Sequence, residues 1–228
     1  MMTLYTSVGT LKFRQNKNGI FSPIVINNIQ EYILSKHELI LWNSLTFHIL
    51  QVHELEHIYR LQLSENDCPD EPPFSYYLNR LLLRGLIVKG TGMSGADALY
   101  RLLGPLQILP IRRPFYSRLF TCITYCRDKK FSFHEFVHYL KREKRSVIEN
   151  TILKLSRSIP LTTSELITCI DYKYFPKKEQ NILTSIYAQP DTTCESLTDE
   201  TQFLHIQYPV LQAIGNLYLD KQILFHKL

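Results

Sequence analysis

Apolar residues recur at three- and four-residue steps through Leu39, Trp42, Leu45 and Ile49, the spacing of one apolar face on a helix that reaches about residue 50. Ser35 and Glu38 stand three apart just ahead of that run. Each side chain can satisfy the other's free backbone donor, so the helix starts there. A second helix is predicted over 53–63, with Leu55, Ile58, Tyr59, Leu61 and Leu63 as its apolar residues and the polar stretch 64–73 as its exit. Pro72 and Pro73 close any helix before them and open the next. A third helix is predicted over 74–84, ending at Gly85, a residue able to adopt the left-handed conformation of a helix end. Leu86, Ile87 and Val88 follow as a short strand. Upstream, 4–33 alternates as strand material. Asn18 and Gly19 suit a tight turn between 11–14 and 20–26, and Asn27 and Asn28 suit a second. A small antiparallel meander is expected, and its role is to cover the first helix, because an isolated hairpin is only marginally stable.

The run YYLNRLLLRGLIVKG at 76–90 resembles the third helix and first wing strand of winged helix-turn-helix DNA-binding proteins, and the resemblance extends over 35–89. In such proteins the solvent face of the third helix enters the major groove. Carried onto this chain, the resemblance implies a groove-facing set of Ser75, Tyr76, Asn79, Arg80 and Arg84, with Lys89 on the strand beyond.

The order helix, short helix, longer helix, strand returns past Pro160. Thr162 or Thr163 opens a helix ending near 170; further helices are predicted over 177–188, 194–201 and 208–219, and a strand over 222–226. Leu78, Leu81 and Ile87 find counterparts in Leu211, Ile214 and Leu224. The last helix carries almost no positive charge, which suits a packing or dimerisation unit better than a DNA reader. The expected fold is therefore mostly α with small β (α+β). It divides into an N-terminal β-meander and winged-helix domain over 1–110, a basic helical connector over 111–158, and a second winged-helix-like domain over 159–228. In the connector, Pro114 suits a first helical position and Phe115, Leu119, Phe120, Ile123 and Cys126 make an apolar face.

Charge sharpens the picture in the connector. Between Arg112 and Arg145 ten Lys or Arg stand against Asp128, Glu135 and Glu143, an excess of +7 where the whole chain carries +5. A local excess of this kind fits a polyanion, so Arg112, Arg113, Lys141 and Lys144 join the candidate DNA contacts. With 228 residues, 45% hydrophobic and 21% charged, the chain can bury its own core without staples. No apolar run approaches the ~20 residues of a membrane span, and the N-terminus lacks the order of a signal peptide. Five cysteines in no framework spacing agree with a reducing compartment. A cytoplasmic location, no membrane and no cofactor are expected.

Two motifs offer rival chemistry. Gly90, Gly92 and Gly95 spell GxGxxG after a strand and before a helix, with Arg112 and Arg113 available to a phosphate. The following helix is short, however, and no further strand-helix alternation follows, so a flexible wing or turn is the expected reading. His53, Glu54 and His57, and again His134, Glu135 and His138, form HExxH, which places two zinc ligands on one helical face with a glutamate as general base. Ser132 and Glu135 account for the second glutamate as a capping box. Glu56 is a charge where zinc peptidases of this motif keep a neutral residue, and neither copy has a third ligand in place. No GxSxG or GxxxxGK[ST] is present. The sequence thus points to a non-catalytic, winged-helix transcription regulator that binds double-stranded DNA, with a homodimer through its C-terminal domain. A zinc-dependent hydrolase and a protein-recognition module are the alternatives, the latter because Glu65, Asp67, Asp70 and Glu71 precede the reading helix.

Overall fold

A computed structural model describes residues 1–15, 19, 21–65, 72–111, 145–173, 180–188 and 192–227. Strand β1 (Met2–Ser7) opens the chain, and a meander of β2 (Thr10–Gln15), β3 (Phe21–Asn27) and β4 (Gln30–Ile33) follows. Then come α1 (Lys36–Ser44), α2 (Val52–Glu65), α3 (Phe74–Leu83), β5 (Ile87–Gly92), α4 (Gly95–Leu103) and β6 (Leu106–Pro110). Beyond 144 lie α5 (Val147–Ser158), α6 (Thr163–Asp171), α7 (Gln180–Ile186), α8 (Cys194–Thr201), α9 (Gln207–Leu219) and β7 (Ile223–Lys227). The fold is mixed α and β, and the sheets among the described residues are small and antiparallel. The meander forms, with Leu11 opposite Val25 and Val25 opposite Tyr32. Its second turn is Asn28 and Ile29 between paired Asn27 and Gln30, one residue beyond the expected Asn27 and Asn28, with Asn28 at φ 55. Asn18 of the expected first turn lies outside the described residues. Val25 is buried among Leu34, Leu41 and Trp42, so the sheet covers α1.

Two further expectations change. The first helix ends at Ser44, not near 50: Phe47 takes φ 62, and Leu50 leaves the helix to exchange backbone hydrogen bonds with Tyr5 at 2.8 and 3.1 Å. The apolar Ile49 and Leu50 thus serve a sheet edge, a tertiary demand that periodicity does not reveal. Residues 2–7 are not part of the meander. They form β1, antiparallel to β5 with Ser7 opposite Ile87 and Met2 opposite Gly92. No wing hairpin follows β5, because Met93 and Ser94 lead directly into α4, and the partner strand comes from ahead of α1 instead.

The chain contains this arrangement twice. Ser35 caps α1 in a capping box with Glu38, and 111 residues on Ser146 caps α5 in a capping box with Glu149. At the same displacement, buried Leu41, Trp42, Ser44 and Leu45 become buried Ile152, Leu153, Leu155 and Ser156. Leu50 becomes Leu161, which accepts from Ile108 of β6 at 2.9 Å as Leu50 accepts from Tyr5 of β1. Glu54, which accepts from Gln51 N at 2.8 Å, becomes Glu165, which accepts from Thr162 N at 2.6 Å. Buried Leu55 becomes buried Leu166. The end of the unit repeats at a displacement of 136, after the insertion of α7 and α8. Gly85 and Leu86 donate to Leu82 and Leu81 at 3.0 Å each, and Lys221 and Gln222 donate to Tyr218 and Leu217 at 2.9 and 2.8 Å. Gly85 and Lys221 both have positive φ, 65 and 58. Buried Phe74, Tyr77, Leu78 and Leu81 match buried Val210, Ala213, Ile214 and Leu217. The hydrogen bonds correct the sequence alignment: Leu78, Leu81 and Ile87 correspond to Ile214, Leu217 and Ile223. Finally β6 pairs with β7 as β1 pairs with β5, with Pro110 opposite Ile223.

The two units interlock. One core is built from α1, α2, α3 and the meander, while the larger joins Leu4 of β1, Val8 just after it, Ala98, Tyr100, Leu102 and Leu103 of α4 and Ile108 of β6 to the helices of the second unit. Helix α5 packs on that larger core through buried Ile152, Leu153 and Leu155. Helix α4 sits against β5 because Gly90 and Gly92 have no side chain. A Cβ on Gly90 would stand 2.3 Å from Leu102 N, and one on Gly92 would stand 2.4 Å from Ala98 N. These glycines are therefore packed, not a flexible wing. The surface that a dinucleotide would need is filled by the helix, and the first turn of α4 holds its own anion: Asp97 accepts from Met93 N at 2.8 Å and pairs with Arg101 at 2.8 Å. No helix among the described residues is long and apolar enough to cross a membrane.

Candidate nucleic-acid interface

Helix α3 buries Phe74, Tyr77, Leu78 and Leu81 and leaves Ser75, Tyr76, Asn79, Arg80 and Leu83 exposed, so the predicted groove-facing residues share one face. Stacking of Tyr77 on His37, 4.9 Å between ring centroids and 7° from parallel, fixes the helix against α1. Lys89 is exposed on β5. The arginines differ. Arg84 donates to Glu38 Oε1 at 2.8 Å and to Ile33 O at 2.8 Å, and its guanidinium lies 5.3 Å from the Tyr32 ring centre. Its side chain is 22% exposed, so it ties α3 to α1 and β4. Arg80 pairs with the same oxygen through Nε at 3.0 Å but keeps 49% exposure.

A buried carboxylate stabilises a fold only when charges and hydrogen bonds compensate it. Glu38, 1% exposed, meets that condition: Oε2 accepts from Ser35 N at 2.8 Å while Oε1 takes both arginines. The spacing of Ser35 and Glu38 predicts the helix cap but not this second role. A capping box is legible within four residues, whereas a partner 42 residues on in another helix is not.

No protein-family model, curated protein or solved structure matches the chain. The second unit supplies the internal comparison. Asn216 occupies the place of Arg80 and donates to Glu149 Oε1 at 3.3 Å, the same contact without the charge. Asp220 occupies the place of Arg84, and α9 contains no Lys, Arg, Asp or Glu. The two scaffolds agree in packing and differ in charge on the equivalent face.

The remaining candidates divide by position. Arg112, Arg113, Lys141 and Lys144 lie outside the described residues, as do Asp67, Asp70, Glu71 and the second HExxH with His134, Glu135 and His138. In the first HExxH, His53 and His57 are exposed on α2, and Glu54 is bonded to Gln51 N, the capping place that Glu165 fills in the second unit. That bond accounts for the glutamate without a metal. Among the described residues no group of three or more His, Cys, Asp or Glu stands together in a ligand arrangement.

Proposed function

We propose that the chain binds double-stranded DNA as a non-catalytic regulator of transcription, with α3 as the groove-facing helix and Arg80 as the residue that reads a base. The observation that carries the proposal is the divergence between the two units. At equivalent positions the first unit presents Arg80 and Arg84, both paired with its capping glutamate, where the second presents Asn216, which donates to its own capping glutamate, and Asp220. Arg84, 22% exposed, already pairs with the buried Glu38 carboxylate, so compensation of that charge does not by itself call for a second, half-exposed arginine at Arg80. An arginine on an exposed helix face beside Tyr76 and Asn79 has the donors to pair with a guanine edge. The basic stretch 112–145 would supply phosphate contacts.

The test exploits the repeat. Arg80→Asn installs the residue found at Asn216 and leaves Arg84 paired with Glu38, so the protein should still fold, with a Tm lowered only by the loss of one half-exposed ion pair. Binding to a preferred duplex should weaken by ~1 to 3 kcal/mol and lose base preference at one position. Replacing Lys141 and Lys144 should weaken every duplex alike and lower the salt slope by about 0.9 for each phosphate no longer neutralised. Titrations on preferred and scrambled duplexes at several salt concentrations separate the two, and wild-type protein with neither preference nor salt slope overturns the proposal. A homodimer belongs to the same reading: Tyr208, Gln212, Asn216 and Leu219 form an exposed, uncharged face on α9, and sedimentation equilibrium measures it.

A further inference from the structure

Three donors converge on Glu38 from three places in the chain. Ser35 N closes the cap of α1 on Oε2, while Arg80 Nε and Arg84 Nη1 share Oε1 at 3.0 and 2.8 Å. The carboxylate has no freedom of its own, being 1% exposed and held at its other oxygen by the helix it caps. Arg84 is consumed by its further bond to Ile33 O and its place over Tyr32. Arg80 alone is both anchored and half exposed. An arginine in solution samples many rotamers, and each must be given up before a two-point contact forms. Anchoring Nε beforehand removes most of that search. The second unit supports this division of labour: Glu149 caps α5 through Ser146 N at 2.8 Å and holds Asn216 through its other oxygen. The cap-to-third-helix tether is thus part of the shared scaffold, and the first unit has placed a guanidinium on it.

We infer that Glu38 is the positioning residue of the interface, a buried carboxylate that aims Arg80 at its target and so sets base preference without touching DNA. This rests on the DNA reading above.

Glu38→Gln is the direct test, because glutamine keeps an oxygen for the cap and removes the charge that orients Arg80. In the free protein, the Arg80 Nε–Hε signal in a nitrogen-proton NMR spectrum should be slow to exchange in wild type and lost in the variant. Affinity for a duplex enriched from a random library by wild-type protein should fall roughly tenfold, while affinity for a scrambled duplex is unchanged. In base preference Glu38→Gln should add little to Arg80→Asn, since both remove the anchored guanidinium, although Glu38→Gln also removes the charge partner of Arg84. Arg80→Lys, which keeps the charge and the native Glu38, should reproduce the loss of preference if the glutamine variant does not fold. A Glu38→Gln protein that keeps wild-type preference overturns the inference. So does one that loses specific and scrambled binding in proportion to a lowered Tm, the pattern of a merely structural residue. If wild type prefers no duplex, the DNA reading fails, and the Arg80 signal alone then decides whether Glu38 fixes that side chain.

Discussion

His226 shows how much a single side chain carries between the two halves of the chain. It is buried in β7, with Thr10 Oγ1 3.2 Å from Nε2 and Asn28 N donating to Nδ1 at 3.4 Å. A backbone donor at Nδ1 requires that nitrogen to be unprotonated, so the ring is neutral with its proton on Nε2. Burial lowers its pKa from the ordinary 6.5, the direction expected when a charge would have to form away from water. The unfolded chain therefore takes up the proton more readily than the folded one. The stabilisation is complete above about pH 6.5 and is lost as pH falls below it toward the lowered folded value. Thermal unfolding between pH 7.5 and 5 should show a falling Tm, and His226→Gln should flatten part of that fall. A profile identical to wild type would remove His226 as a cause. Cys169 is the opposite case: burial raises its thiol to about 12, which keeps it protonated and unreactive in the native state.

Helix α4 on strand β5 is the element where a motif and a packing demand compete for the same glycines. A nucleotide fingerprint needs all three of Gly90, Gly92 and Gly95, whereas close packing needs only those that meet backbone. Gly90 and Gly92 meet it, while the nearest atom to a Cβ on Gly95 is Met2 Sδ at 3.5 Å, an ordinary contact. Gly90→Ala and Gly92→Ala should therefore cost ~1 to 3 kcal/mol or more through forced separation of α4 from β5. Gly95→Ala, at the first position of the helix, should be neutral or slightly stabilising. Denaturant midpoints of the three variants check this, and equal losses at all three would restore a role beyond packing. The first HExxH follows the same logic at α2: Glu54 is placed by the cap that recurs at Glu165, and His53 and His57 flank it on the exposed side.

At the scale of the whole molecule, the question is whether two copies of one unit behave as two bodies. Tyr218 of α9 argues against it. Its hydroxyl accepts from Phe47 N at 3.0 Å, donates to Leu45 O at 3.1 Å and lies 3.0 Å from Thr6 Oγ1, so one buried side chain of the second unit completes three polar groups of the first. Leu4 of β1 and Val8 just beyond it lie in the larger core, and Gly9 N donates to Phe225 O at 2.8 Å. Shared burial of this kind makes unfolding one event. A single transition is expected in urea by fluorescence and far-ultraviolet dichroism alike. Tyr218→Phe should lower stability by ~1 to 3 kcal/mol, since it removes the partner of Phe47 N and leaves Leu45 O with His48 N alone. Two separated transitions would show that the units fold independently.

What the residues determine by themselves is local. The capping boxes at Ser35 and at Thr162, the stop at Gly85 and the helix at 194–201 all fall where caps and periodicity place them, because each depends on neighbours within a few positions. Tertiary structure decided the rest. Leu50 leaves the helical pattern because Tyr5 supplies hydrogen bonds across 45 residues, and β1 leaves the meander because β5 lies open to it. The repeat was visible only as an order of elements: of positions 35–55, Ser35, Glu38, Leu50, Glu54 and Leu55 alone recur unchanged 111 residues on. Burial conserves the pattern of faces and not the identity of side chains, so hydrogen bonds were needed to set the alignment. The candidate site divides the same way. Its exposed face follows from helical spacing in α3, but the anchoring of Arg80 on Glu38 exists only once α1 and α3 have packed, since no rule of local sequence brings a capping carboxylate to a guanidinium 42 positions away.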